Sequence, residues 1–281
     1  MKDRVCVVTG ATSGIGRAAA SELARRGARV AVHGRGREKC ERTVAEIKTE
    51  SGSDRVEAFV ADLNSQEQVR ALAAALLERY PKIHVLLNNA GLLNASFRET
   101  VDGIETTLAV NHLAPFLLTN LLLDRLKESQ PARIVNVASE AHRFGTLDLE
   151  DLEFRRRKYR SLQVYGVSKL LNVLFTHELA RRLEGTEVTA NALHPGVVNT
   201  GLGDNNPPSL LLRAMRMLKF LMRAPEKGAE TAVFLASSPD AADVTGKYWA
   251  DCHEKRARNI SYNPELQRRL WEISETMTGL A

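Results

Sequence analysis

The stretch Val5-Cys6-Val7-Val8-Thr9-Gly10-Ala11-Thr12-Ser13-Gly14-Ile15-Gly16 decides the fold. An apolar, β-branched run with no polar alternation predicts a strand buried on both faces. A Gly-x-x-x-Gly-x-Gly turn follows, and a helical pattern then runs from Gly14 to Arg26. Glycines at such a turn let backbone N–H groups approach a phosphate, and the helix N-terminus adds partial positive charge beneath it. Glycine-rich turns also simply join strands to helices. Its place at the first strand-to-helix turn favours nucleotide binding through Gly10, Thr12, Ser13, Gly14, Ile15 and Gly16.

Outward from that turn the same alternation repeats. Further strands are expected at Arg29–His33, Val56–Val60, Ile83–Asn88, Arg133–Val137 and Val188–Leu193, with a short one near Gly246–Ala250. Helical patterns fall at Glu38–Glu50, Gln66–Tyr80, Ile104–Glu128 and Leu162–Leu183. Strict alternation implies right-handed crossovers and a doubly wound α/β sheet with helices on both faces. No composition break or internal repeat divides residues 1–281, so one domain is expected.

Where NAD-preferring sites place an acidic residue, about 20 residues beyond the glycines, the chain reads His33-Gly34-Arg35-Gly36-Arg37-Glu38-Lys39. A carboxylate would repel a ribose 2′-phosphate, whereas a guanidinium pairs with it. Arg35 therefore points to NADP(H) over NAD(H), with Lys39 as a further contact. Arg37 and Lys39 solvating the helix start remains an equal reading. Arg17 offers additional positive charge.

Tyr165-Gly-Val-Ser-Lys169 places a phenol and an ammonium one helical turn apart on one face. A phenol titrates near 10, and a neighbouring cation lowers that value. Such pairs also arise by chance. Taken together, however, the glycine turn, Asn88-Asn89-Ala90-Gly91, Asn111, Ser139 and Tyr165-x-x-x-Lys169 resemble the short-chain dehydrogenase/reductase family over nearly the whole chain.

That resemblance implies a Rossmann domain with a seven-stranded parallel sheet. It implies that Tyr165 exchanges a proton with a carbonyl or alcohol oxygen, that Ser139 polarises the same oxygen, and that Lys169 holds the nicotinamide ribose. Asn111, in the long fourth helix, would anchor a water relay behind Lys169. Asp62 and Leu63 would meet the adenine, and Asn89, Ala90 and Gly91 the ribose. Pro195, Val198 and Thr200, in His194-Pro-Gly-Val-Val-Asn-Thr200, would meet the nicotinamide amide. Four strings narrow the resemblance to the retinol dehydrogenase-like subgroup: Val110–Thr119, Tyr165–Phe175, Leu193–Val198 and Arg269–Ser274. The expected reaction is NADP(H)-dependent interconversion of a carbonyl and an alcohol on an apolar substrate such as a retinoid, steroid or lipid aldehyde. The complete set Asn111, Ser139, Tyr165 and Lys169 speaks against a non-catalytic NADP(H)-binding scaffold or redox sensor.

Residues 200–225 stand where a lid is expected. Ser209–Arg223 projects basic residues on one side of a helix and Leu and Met on the other. It fits a lid ahead of peripheral membrane contact, and the two are compatible. Leu170–Phe175 fits either a homodimer face or core. The basic run Arg155–Arg160 reads as a solvated face. The net charge of +5 selects no partner by itself, and no nucleic-acid-reading motif is recognisable. Three separated cysteines and seven scattered histidines suggest neither disulfides nor a metal site. His112 and His142 read as packed or capping residues. No signal peptide and no uncharged apolar run of about 18 residues stands out, so a cytoplasmic protein is expected, with membrane association through the lid left open.

Overall fold

The computed structural model describes residues 1–198 and 223–281. The first half alternates as expected: β1 (Val5–Val8), α1 (Gly14–Arg25), β2 (Arg29–Gly34), α2 (Arg37–Ser51), β3 (Val56–Val60), α3 (Gln66–Arg79) and β4 (Val85–Asn88). Then come α4 (Thr106–Leu108), a π turn (Ala109–Leu113), α5 (Ala114–Glu128), β5 (Ala132–Val137), α6 (Ser161–Arg182) and β6 (Val188–Leu193). The chain closes with α7 (Pro225–Ser237), β7 (Tyr248–Ala250), β8 (His253–Lys255) and α8 (Pro264–Thr278).

The sheet order is β3-β2-β1-β4-β5-β6-β7-β8, and the pairs run parallel from β3 through β7. The chain reverses its direction of winding between β1 and β4, so their carboxyl ends flank the crevice where ligands of such sheets bind. Alternate residues of β1 face opposite layers. Val5 and Val7 pack with α3, α5 and the ends of α6 and α8, while Cys6 and Val8 pack with α1 and α7. Burial on both faces is why the central strands β1 and β4 are almost wholly apolar.

Three differences from the sequence reading have physical causes. An eighth strand joins the expected seven, antiparallel to β7 across a turn where Asp251 and Cys252 both take positive φ. All three of its side chains are exposed, so His253-Glu254-Lys255 carries no strand pattern and instead gives the sheet a charged edge. The expected helix Ile104–Glu128 is broken at Asn111 by the π turn. Helices α7 and α8 go beyond the expected set, and both begin with Pro in the first turn.

Among the described residues, the run Thr106–Glu128 is long and apolar enough by composition to cross a membrane, but 78% of its most apolar window is buried inside the fold. Leu170, Leu171, Val173, Leu174 and Phe175 are likewise packed within the chain's own core, which accounts for the pattern that left a dimer face open. The basic run is more structural than expected. Backbone N–H groups of Arg155, Arg156 and Arg157 all donate to the buried Asp151 carboxylate, joined by Arg157 Nε at 3.1 Å.

Candidate active site

The glycine turn is pinned between the ends of β1, β2 and β4. Gly10 has φ of 63°, and a Cβ there would stand 2.8 Å from the Ala90 Cα, so only glycine fits. A Cβ on Gly16 would meet Asn89 Nδ2 and the Gly10 carbonyl. Asn89 Nδ2 donates to the carbonyls of Thr9 and Gly10 at 2.9 and 3.2 Å. Thr9 Oγ1 accepts from the N–H groups of Asn89 and Ala90, each at 3.0 Å. Ser13 is the N-cap of α1, and its side chain makes no capping bond. The first-turn N–H groups of α1 therefore lack the usual side-chain acceptor, which suits an anion.

A residue without an assigned role completes this corner. His33, at the end of β2, is buried; its Nδ1 accepts from the Gly10 N–H at 3.3 Å, and its Nε2 faces the Ala61 carbonyl at 3.1 Å. Burial pushes its pKa down to about 4, so the ring is neutral with its hydrogen on Nε2. No motif spacing marks it; the only signal is a polar residue in an otherwise apolar strand.

Around this corner stand the other expected cofactor contacts. Arg35 and Lys39 are exposed just beyond β2. Asp62 follows β3, where its N–H donates to Gln68 and its carboxylate accepts from Asn64, and Leu63 beside it is buried. Val198 contacts the first turn of α1 near Ile15, as a Cβ on Gly228 would touch both side chains. Thr200 and Ser209–Met222 lie outside the described residues. Arg223 pairs with Asp251 at the surface, and its backbone bridges to Val198. Arg17 is likewise engaged, by Glu46 and Glu50.

The second cluster lies at the ends of β4 and β5. Ser139 closes β5 and caps a 3-10 turn, Glu140–Arg143, by accepting from the Ala141 N–H. Tyr165 and Lys169 sit on α6, with Lys169 Nζ 5.7 Å from the centre of the Tyr165 ring. Lys169 is buried, and its Nζ donates to the Val137 carbonyl at 2.9 Å. A Cβ on Gly91 would stand 3.3 Å from both Lys169 Nζ and Asn111 Oδ1, so these two side chains meet at that glycine. Burial pushes Tyr165 up to about 12, opposed by a hydrogen bond to Ser139. Burial also pushes Lys169 down to about 8. At neutral pH the phenol is a proton donor and the amine is still mostly a cation.

Asn111 owes its position to Pro115. Without an N–H, Pro115 cannot bond the carbonyl four residues back, which is that of Asn111. The ladder widens to Ala114 N–H to Ala109 carbonyl, a π turn. Asn172 Nδ2 supplies the missing donor at 2.8 Å. The Asn111 side chain then clasps the segment after β4, accepting from Leu92 N–H at 2.8 Å and donating to the Leu92 carbonyl at 2.9 Å. It also donates to Ser168 Oγ at 3.0 Å. His112 and His142 are packed residues, as expected. His142 is buried against Tyr248 and accepts from the Arg258 N–H.

The chain is similar to known proteins over nearly its full length. The sequence pattern of the short chain dehydrogenase family matches residues 4–209. Retinol dehydrogenase 14 of Mus musculus is 42% identical over 100% of this chain and 87% of its own length. A crystal structure of a protein from Mycobacterium paratuberculosis superposes with a TM-score of 0.79 at 32% identity, covering 99% of this chain and 94% of that one. A short chain dehydrogenase from Burkholderia cenocepacia, crystallised in complex with NADP, gives 0.68 at 28% identity, covering 88% and 94%.

Proposed function

The chain belongs to the short chain dehydrogenase family, and on that premise we propose that it is an NADP(H)-dependent oxidoreductase interconverting a carbonyl and an alcohol on a retinoid-like substrate. The observation that carries the reading is that Lys169 and Asn111 meet at Gly91, with the Tyr165 ring beside Lys169 and Ser139 hydrogen-bonded to the Tyr165 phenol.

The cofactor corner fits a phosphorylated dinucleotide. The uncapped N-terminus of α1 and the crowded Gly10 and Gly16 receive the pyrophosphate, and Arg35 and Lys39 receive the 2′-phosphate. Asp62 and Leu63 border the adenine. Asn89 fixes the turn from within, so backbone at Ala90 and Gly91 faces the ribose, and Pro195 and Val198 close over the nicotinamide. Bound NADP(H) supplies or accepts the hydride.

The protein handles the proton. In reduction, Ser139 Oγ–H and the Tyr165 phenol both donate to the carbonyl oxygen, and Tyr165 gives up its proton as the alkoxide forms. Lys169, still charged, lowers the cost of the resulting phenolate. Asn111 holds the backbone at Leu92 so that Lys169 keeps its place. In oxidation Tyr165 takes the proton back.

An apolar substrate is favoured by side chains flanking these groups. Phe144 follows the turn capped by Ser139, Leu162 stands one helical turn before Tyr165, and Val197 follows Pro195. They are 77%, 49% and 68% exposed. The name of the retinol dehydrogenase relatives points the same way.

The test is NADPH oxidation with all-trans-retinal and a panel of other aldehydes and ketones. Tyr165→Phe should abolish turnover and leave NADPH binding, followed by fluorescence, within a factor of about three. Near-normal turnover by that variant would overturn the mechanism. NADPH binding without turnover of any carbonyl by the unaltered chain would make it a cofactor-binding scaffold.

A further inference from the structure

Three of the four strings of the retinol dehydrogenase-like subgroup meet at one place that the reaction as described leaves unused. Each contributes one aromatic ring. Phe116, Phe175 and Trp271 form a triangle with centroid separations of 5.3, 4.9 and 5.8 Å, and the Arg182 guanidinium lies 4.1 Å from the Trp271 ring centre. The triangle fastens α8 to α5 and α6. Beside the triangle each of these strings places one member of a bonded polar trio, His112, Asn172 and Ser274, all under 5% exposed.

Donor and acceptor accounting fixes how these three are wired. Asn172 Nδ2 donates to the Asn111 carbonyl, so a reversed amide would set two oxygens face to face. Asn172 Oδ1 therefore faces His112 Nδ1, at 3.3 Å, and it can only accept. His112 must carry hydrogen on Nδ1. Burial pushes the imidazolium down to about 4, so the ring holds that one hydrogen and Nε2 is bare. Ser274 Oγ, 3.0 Å from Nε2, is then the donor, which it becomes by turning from the Leu270 carbonyl at 2.7 Å. The hydrogens run in one direction, from Ser274 to His112 to Asn172 to the Asn111 carbonyl. Beyond it, the Asn111 side chain holds Leu92 and borders Gly91 next to Lys169.

We propose that His112 is a positioning residue for the reaction: it transmits the docking of the C-terminal helix α8 through Asn172 to the Asn111 turn, and so holds the site around Lys169. Any consequence for turnover rests on the oxidoreductase reading above, while the wiring itself does not. An amide nitrogen on Asn falls where Nδ1 of His does, so His112→Asn retains the donor to Asn172. His112→Leu fills the space without one, and Ser274→Ala removes only the first donor of the chain.

With NADPH and all-trans-retinal, His112→Leu should lose about tenfold in kcat, with KM for NADPH within twofold, and His112→Asn should stay within about threefold of the unaltered chain. Ser274→Ala should lose about threefold in kcat while its thermal unfolding stays near normal, which keeps the test alive if His112→Leu does not fold. Two readouts need no turnover. Nitrogen-15 NMR of histidine-labelled protein should find His112 with hydrogen on Nδ1. The Leu92 amide, which donates to Asn111, should exchange faster in His112→Leu and Ser274→Ala than in His112→Asn. If retinal and every other carbonyl are inert, the oxidoreductase reading fails and these two readouts still decide the wiring. Hydrogen on Nε2, unchanged Leu92 exchange in both deficient variants, or equal losses in His112→Asn and His112→Leu would each overturn the proposal.

Discussion

Asn172, on α6, gives the Asn111 carbonyl the hydrogen bond that the chain's own helix withholds, at 2.8 Å. The vacancy exists because Pro115 has no N–H. Pro115→Ala would restore a donor four residues beyond Asn111 and favour a regular helix. The expected result is unfolding stability equal to or above the native value, with kcat lowered about three- to tenfold as Asn111 is drawn away from Leu92. Thermal denaturation and steady-state kinetics on the same preparation check both signs. A variant that is both less stable and fully active would contradict the account.

The Tyr165–Lys169 pair sets a pH limit. Burial holds Lys169 at about 8, below the ordinary lysine value, so its cation is present below that pH and lost as pH rises through it. Tyr165, held at about 12, remains a phenol across the same range. The profile of kcat/KM for NADPH in carbonyl reduction should be flat from pH 6 to 7.5 and fall above about 8. Lys169→Arg, slower throughout because its fork does not fit an ammonium's place, should lack that alkaline limb.

Much of this site was legible because its chemistry comes as fixed spacings within single elements. The glycine turn, Asn89-Ala90-Gly91 and Tyr165-x-x-x-Lys169 are each local, and strands buried on both faces announce themselves as apolar runs. What escaped was set by partners far along the chain. Asn111 looks helical because the π turn depends on Pro115 and on Asn172, and His33 has meaning only once β2 lies beside β1 and β3. Strand β8 is three exposed polar residues whose conformation comes from pairing with β7. Arg157 reads as a surface charge until Asp151 is seen buried beside it.

The NADP(H) preference has its own test. If Arg35 meets the 2′-phosphate, Arg35→Glu replaces a charge-assisted pair with repulsion. KM for NADPH should rise about a hundredfold, while KM for NADH changes by less than about threefold. Raising the salt concentration should weaken NADPH binding to the native chain more than to the variant, since exposed charge pairs are screened. Equal effects on both cofactors would mean that Arg35 acts on the fold of the β2 end and not on the phosphate.

The insert between Ser139 and Tyr165 hangs on a single carboxylate. Asp151 is 6% exposed and accepts from three successive backbone N–H groups as well as from Arg157, whose guanidinium also lies 4.1 Å from the Phe154 ring centre. These bonds hold the Asp151 pKa below the ordinary carboxylate value although burial raises it. A depressed folded-state pKa means stability that is present above about pH 4 and is lost as pH falls further. Asp151→Ala would strand buried donors and leave Arg157 without its counter-charge, at a cost of about 3 kcal/mol. Denaturant unfolding at pH 7 should register that loss, and the gap between variant and native chain should narrow below pH 4, where the native carboxylate is itself protonated. A gap that stays constant down to pH 3 would mean that Asp151 contributes through packing and not through its charge.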